Sequence, residues 1–138
     1  MADGFGLALQ KGIRTRLINY SDLTVLISTR VYDEPPADVV FPYLRFVEVQ
    51  PRIFDVDDKT GARVDLTMRA HSRSASGRVE ATQVVEAVRA ALHRQEASVT
   101  TTGFNLVEFI FDDYFAERDA DGRGYTAYIS FNVMMETT

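Results

Sequence analysis

The sequence predicts an α+β fold: a largely antiparallel β-sheet built from two hairpins, with two main helices packed on one face. Three observations carry this. Val64, Leu66, Met68 and Ala70 alternate with Arg63, Asp65, Thr67, Arg69 and His71, the period-two mark of a strand with one buried and one wet face. Apolar residues recur four apart at Phe5, Leu9, Ile13 and Leu17, and a second stripe joins Ala81, Val84, Val85, Val88 and Leu92; both are faces of amphipathic helices. A long C-terminal alternation doubles back at residues 119–124, where Asp121-Gly122 is a hairpin signal. Hairpins separated by helices give an α+β layer fold.

The elements follow in order. The first helix is expected over residues 3–20 with Asp3 as its N-cap. Gly6 and Gly12 each weaken it by up to about 1 kcal/mol, so it must rely on packing. Ser21 and Asp22 are expected to cap a short second helical turn carrying Leu23, Leu26 and Ile27. Residues 30–44 then hold three of the four prolines and two tyrosines. Pro35-Pro36 stiffens a loop after Val31-Tyr32, and Phe41-Pro42-Tyr43 opens a strand at a place where Pro is allowed. That strand is expected over 43–50. Its phase is broken, because Leu44 and Phe46 point one way and Val47 and Val49 the other, so either both faces are covered or a bulge shifts the register. Pro51 is expected to end the pairing, and residues 57–61 to form a hairpin tip.

After the clean strand at 63–71, residues 72–77 are a polar connection and the second main helix is expected over 78–95. The last hairpin pairs a strand with Val107, Phe109, Phe111 and Phe115 on one face against a strand lined by Tyr125, Ala127, Ile129, Phe131, Val133 and Met135. No repeat, low-complexity tract or linker interrupts the 138 residues, a length that suits a single domain, 1–138.

Composition narrows the function classes. The chain is 46% apolar and 25% charged with a net charge of −5, which opposes a nucleic-acid reader with its basic face. With no cysteine there is no disulfide framework, thiolate zinc site or thiol nucleophile. Residues 1–6 lack a basic and an apolar leader region, and no apolar run approaches membrane-spanning length. Thirteen arginines against two lysines, with Thr126, Tyr128, Ser130 and Asn132 on a polar strand face, lean towards contact with other protein surfaces.

Candidate chemistry is sparse. His71 and His93 lack the paired spacing of a zinc site and read as surface histidines. The Asp55-x-Asp57-Asp58 and Asp119-x-Asp121-Gly122 runs lack the twelve-residue calcium-loop pattern and read as turns. Asp112 and Asp113 suggest an acid/base pair, but neighbours on a strand point to opposite faces, so a bulge, an edge or a subunit contact is the better reading. No nucleophile elbow or phosphate-cradling glycine loop is present. The run from Arg69 through Arg73 to Arg78, leading into a helix start, has phosphate-binding ingredients. On an acidic chain it reads as a solvated loop whose arginines pair with carboxylates.

The helix with Leu-Ala-Leu-Gln at 7–10 comes first. It is followed by Val-Tyr-Asp-Glu-Pro-Pro at 31–36, Phe-Pro-Tyr-Leu at 41–44, Leu-Thr-Met at 66–68 and His-Ser-Arg at 71–73. The helix at 85–92, Asp-Ala-Asp-Gly-Arg at 119–123 and the closing strand complete the series. In this order and spacing the chain resembles the phage tail terminator or tail-completion family, in the branch of siphophages and gene transfer agents. Relatives usually carry Trp where this chain has His71, and residues 96–104 match poorly. The resemblance implies a non-enzymatic virion protein without cofactor or metal, made in the host cytoplasm. It implies a homohexameric ring at the head-proximal end of the tail tube, which ends tube polymerisation and offers a surface to the head-completion proteins. DNA would pass through the lumen without sequence-specific binding. The contacts with sister subunits, tube or neck are expected from Tyr32, Pro35, Pro36, Phe41 and Tyr43 and from Asp57, Asp58 and Lys59. The alternatives are another neck component such as a head–tail adaptor, or a small hydrolase using Asp112, Asp113 and His71.

Overall fold

A computed structural model describes residues 3–138. Met1 and Ala2, the start of the segment read as lacking a leader, lie outside the described residues. The fold is α+β as expected, with three helices and a five-stranded, mostly antiparallel sheet.

Helix α1, Phe5–Ile18, buries the expected face of Phe5, Leu9, Ile13 and Leu17. Its N-cap is Gly4, not Asp3. Asp3 sits one residue too early to cap, and its carboxylate instead accepts a bond from Lys11 Nζ at 2.8 Å. Gly12 has a packing reason: a Cβ there would overlap the Thr100 carbonyl oxygen. Helix α2, Ser21–Ile27, buries Leu23 and Ile27, but Tyr20 takes the N-cap place expected of Ser21 or Asp22. The backbone amides of Leu23 and Thr24 both bond to the Tyr20 carbonyl at 3.0 Å, while Asp22 adds favourable charge to the first turn.

Strand β1, Val31–Tyr32, runs parallel to strand β2, Tyr43–Val56, placing Val31 against Leu44. Two residues are too few for any periodicity to reveal. The broken phase of β2 is a bulge between Phe46 and Glu48, one of the two expected solutions. β2 then continues past Gln50 and through Pro51, which faces Val64 of strand β3, Lys59–Ser72. Beyond Arg45 the outer side of β2 is a free edge, where a residue without an N–H does no harm. The hairpin tip is therefore only Asp57-Asp58, with Asp57 at φ 39°. Gly61, expected in the tip, lies in β3 beneath the Phe54 ring, where a Cβ would meet ring carbons at 2.7 Å.

Helix α3, Val79–Leu92, is shorter than its expected span but buries the whole predicted stripe. A single 3-10 turn, Glu96–Ser98, leads to strand β4, Phe104–Arg118, which pairs with strand β5, Tyr125–Thr137. The sheet order is β1-β2-β3-β5-β4. The inward residues of β3 and β5 are those predicted. Those of β4 are not: bulges at Val107 and Asp112 shift its phase twice. Phe109 is fully buried and Phe111 packs on the core, but Val107 and Phe115 are exposed, and Leu106, Tyr114 and Ala116 turn inward instead.

The helices cover one face of the sheet: α3 crosses β3, β5 and β4, and α1 lies over β2. The buried side chains join in one core cluster spanning helices and sheet. Each large side chain in it contributes roughly 1.5–3 kcal/mol. The other sheet face carries no helix; polar and charged side chains dominate it, with Phe54, Ile110, Phe115 and Met134 set among them.

Candidate assembly surfaces

The residues with catalytic potential do not meet. Asp113 faces Ser130 and His71 faces Thr126, so they lie two strands apart and four positions apart along the sheet. At about 4.8 Å per strand and about 3.3 Å per residue, that is roughly 16 Å. Asp112 sits at the bulge, as one of its expected readings had it. Among the described residues no group of three His, Asp or Glu side chains is placed to hold a metal ion. His93 is not a free surface histidine: its Nδ1 accepts the Phe111 backbone N–H at 2.9 Å, tying the end of α3 to β4. His71 is half-buried, stacked on Tyr43 at 4.8 Å. Burial first, with Arg45 and Arg69 beside it, lowers its pKa, and Asp119 pulls the other way.

The basic run diverges too. Arg69 lies over the Tyr128 ring at 4.8 Å, Arg73 over Phe41 at 4.2 Å and Arg78 near Tyr125 at 5.8 Å. These arginines rest on aromatic rings rather than forming the expected ion pairs; none of the ion pairs among the described residues involves them. Glu80 occupies the first turn of α3 and accepts from Ser72 Oγ at 2.7 Å. A carboxylate already serves that helix start, which opposes phosphate there.

The proline-rich segment and the hairpin tip are separate surfaces. In the first, Tyr32, Phe41 and Tyr43 form an aromatic chain, with centroids 6.0 Å apart for Tyr32–Tyr43 and 5.2 Å for Phe41–Tyr43. Tyr43 is 7% exposed, so its own chain takes up most of its surface. Its burial raises the phenol pKa, against the pull of Arg45 and Arg73. Tyr32, Pro35 and Phe41 are half-buried and Pro36 is exposed. Arg30 Nε holds the Pro42 carbonyl at 2.9 Å, fixing the loop to the start of β2. At the tip, Asp57, Asp58 and Lys59 are exposed. Lys59 Nζ reaches Glu136 at 2.7 Å, which raises its pKa and ties the arm to the end of β5.

The helix-free face is the surface that strand-by-strand reading missed. Register places Arg45, Arg69, Tyr128 and Phe115 in one row across four strands, with Tyr43, His71, Thr126 and Glu117 in the next. Phe115 is 51% exposed and stacks on Tyr128 at 4.7 Å. Burial first, and then Glu117, hold the Tyr128 phenol above its ordinary value, against Arg69. Further along, Arg52 pairs with Asp65 at 3.0 Å beside an open groove lined by Phe54, Arg63, Glu108 and Ile110. The signal was present in the alternate positions of each strand, but only pairing brings them together.

A search of curated proteins finds no match. Among solved structures, a chain of the "Virion of native gene transfer agent (GTA) particle" shares the fold at TM-score 0.86 and 21% identity, covering 98% of this chain and 99% of that one. The sequence model of the family described as "Tail completion protein gp17" matches residues 11–136. That span reaches every strand and takes in all of the contact candidates and nearly all of the core, and on it this chain belongs to the tail completion protein gp17 family.

Proposed function

We propose that the protein is the tail terminator of a phage-like particle. Copies of it form a ring on the head-proximal end of the tail tube, end tube polymerisation and provide the surface on which the head is joined. The observation that carries this reading is family membership over residues 11–136. Support comes from the near end-to-end likeness to a chain of a gene transfer agent virion, which makes the particle, at its tail, the expected location. Physically, capping requires a rigid body with two unlike surfaces that meet head to tail, since a heterologous contact that closes by rotation gives a ring. The sheet offers such surfaces: a helix-free face on one side, and free edges at β4 and at the outer half of β2.

The proline-rich loop and the β2–β3 tip are the contacts we assign to sister subunits, tube or neck, through Tyr32, Pro35, Pro36, Phe41, Asp57, Asp58 and Lys59, with Tyr43 as their support. The net charge of −5 limits sticking of the DNA that would pass through the lumen. No catalytic step is part of this role.

Electron microscopy of particles lacking the protein tests it. Tails of uncontrolled length without heads are expected. Tails of normal length that merely fail to join heads would instead indicate an adaptor on the head side.

A further inference from the structure

Four side-chain polar atoms among the described residues are buried without a hydrogen-bond partner, and three of them lie together: Arg45 Nε, Arg69 Nε and His71 Nε2. Arg45 and Arg69 are direct cross-strand partners, and His71 is two residues along β3 from Arg69. Like charges directly opposite on a ladder repel, and no ion pair among the described residues relieves either guanidinium. Of the acids beside this corner, Asp119 commits Oδ1 to Thr126 at 2.6 Å and Glu117 acts on the Tyr128 phenol. A buried donor left unmet is costly, and a pair of guanidinium forks is the geometry that carboxylates satisfy best. Tyr128 beneath Arg69, with Phe115 stacked beside it, adds the aromatic and arginine content typical of a contact centre.

The required anion is a protein carboxylate rather than a nucleic-acid backbone. Glu117, Asp119 and Asp121 border the patch, so a run of phosphates would meet more repulsion there than one or two side-chain carboxylates would. The same chain carries a matching feature elsewhere. On edge strand β4, the bulge presents Asp112 and Asp113, both exposed and neither in an ion pair. Bulges at sheet edges re-aim side chains in this way. Of the other exposed acidic pairs, Asp57-Asp58 already has Lys59 adjacent to it, and Asp33-Glu34 follows Tyr32, the register partner of Arg45, on the receptor's own side.

We infer that Arg45 and Arg69 form a carboxylate receptor filled by Asp112 and Asp113 of a second copy of this chain. Receptor and ligand lie in different places: a reciprocal two-fold pairing would satisfy both at once, whereas a one-way pairing leaves one of each open on every copy and extends head to tail into a ring. The inference rests on the ring reading and assigns the side chains that close it.

The test is assembly mass by light scattering across a protein and salt series, on the full chain. The unmodified protein is expected at about 93 kDa for six chains of 15.5 kDa. D112N/D113N, on an exposed bulge, leaves the fold alone and should raise the half-assembly concentration about tenfold or more. R45E/R69E should do the same, and combining it with D112R/D113R should restore the ring. If the reversed arginines fail to fold, the Asn pair and the salt dependence still decide. A hexamer indifferent to D112N/D113N and to salt would overturn this pairing while leaving the ring standing. A two-fold dimer would overturn the head-to-tail contact, and loss of DNA binding with unchanged assembly in R45E/R69E would reassign the receptor to phosphate. An unmodified protein that never assembles, alone or on tube ends, counts against the ring itself.

Discussion

Replacing Gly12 by Ala separates two opposed physical effects. In an isolated helix the change stabilises by about 1 kcal/mol, because glycine has the greater backbone freedom to lose. In this fold the new Cβ would overlap the Thr100 carbonyl oxygen, and would also stand 3.2 Å from the Thr100 carbonyl carbon and 3.3 Å from Val99 Cγ1. The obstacle is backbone, in the segment that joins α3 to β4 and holds the buried Val99 and Thr101, so it cannot step aside like a side-chain tip. Overpacking of this kind costs about 1–3 kcal/mol. With the helix gain subtracted, the expected net loss is up to about 2 kcal/mol, or up to roughly 7 °C in Tm for a domain of this size. Urea unfolding followed by circular dichroism measures it, with the midpoint falling at unchanged slope. A midpoint that rises, as helix propensity alone predicts, would refute the close approach of α1 to residue 100.

Three other outcomes are expected. Phe109→Ala should cost about 3–5 kcal/mol, since Phe109 is 0% exposed, whereas Phe115→Ala should cost little beyond its stacking on Tyr128, about 0.5–1.5 kcal/mol; equal losses in the two urea midpoints would mean that the β4 bulges are misplaced. His93→Ala leaves the Phe111 N–H without its acceptor and should destabilise by about 1–3 kcal/mol, with faster hydrogen exchange at that amide as its local signature. His71 has a lowered pKa in the fold, so the unfolded chain binds its proton first: stability is flat above about pH 6.5, falls as pH drops below that value and has lost the full increment below the folded pKa. His71→Phe, which keeps a ring on Tyr43, should remove this fall from a pH series of urea midpoints, and an identical pH profile would show that His71 is not the group responsible.

Sequence periodicity succeeded where a strand or helix is regular. β3 and β5 have unbroken alternation and α1 and α3 have unbroken stripes, so their inward faces were legible residue by residue. It failed where pairing, rather than side-chain order, decides. β4 looked like one apolar face because Phe109, Phe111 and Phe115 share parity, yet the bulge at Asp112 sends Phe115 to the opposite face from the other two. Pro51 looked like a terminator, yet it sits in β2 where the strand is an edge, and this depends on β1 being only two residues long. The caps were misplaced by a residue because Gly4 and Tyr20 cap without side-chain bonds.

The surfaces divide in the same way. The proline-rich loop was conspicuous from composition, and so was the Asp57-Asp58 tip. The Arg45–Arg69 pair was invisible, since the two lie 24 positions apart in sequence and only the bulge at Val47 sets the register that joins them. Asp112-Asp113 stood out as an anomaly in an apolar strand. Its chemistry as an acid/base pair is not supported by the roughly 16 Å that separates Asp113 from His71.

The central claim is that this chain forms the ring that closes the tail tube. Its most direct test is a cryo-electron-microscopy reconstruction of the neck of intact particles. The account predicts six copies in one closed ring, seated on the last tube ring and facing the head-completion proteins. Density for this chain against the portal, along the length of the tube, or absent from the particle would contradict it.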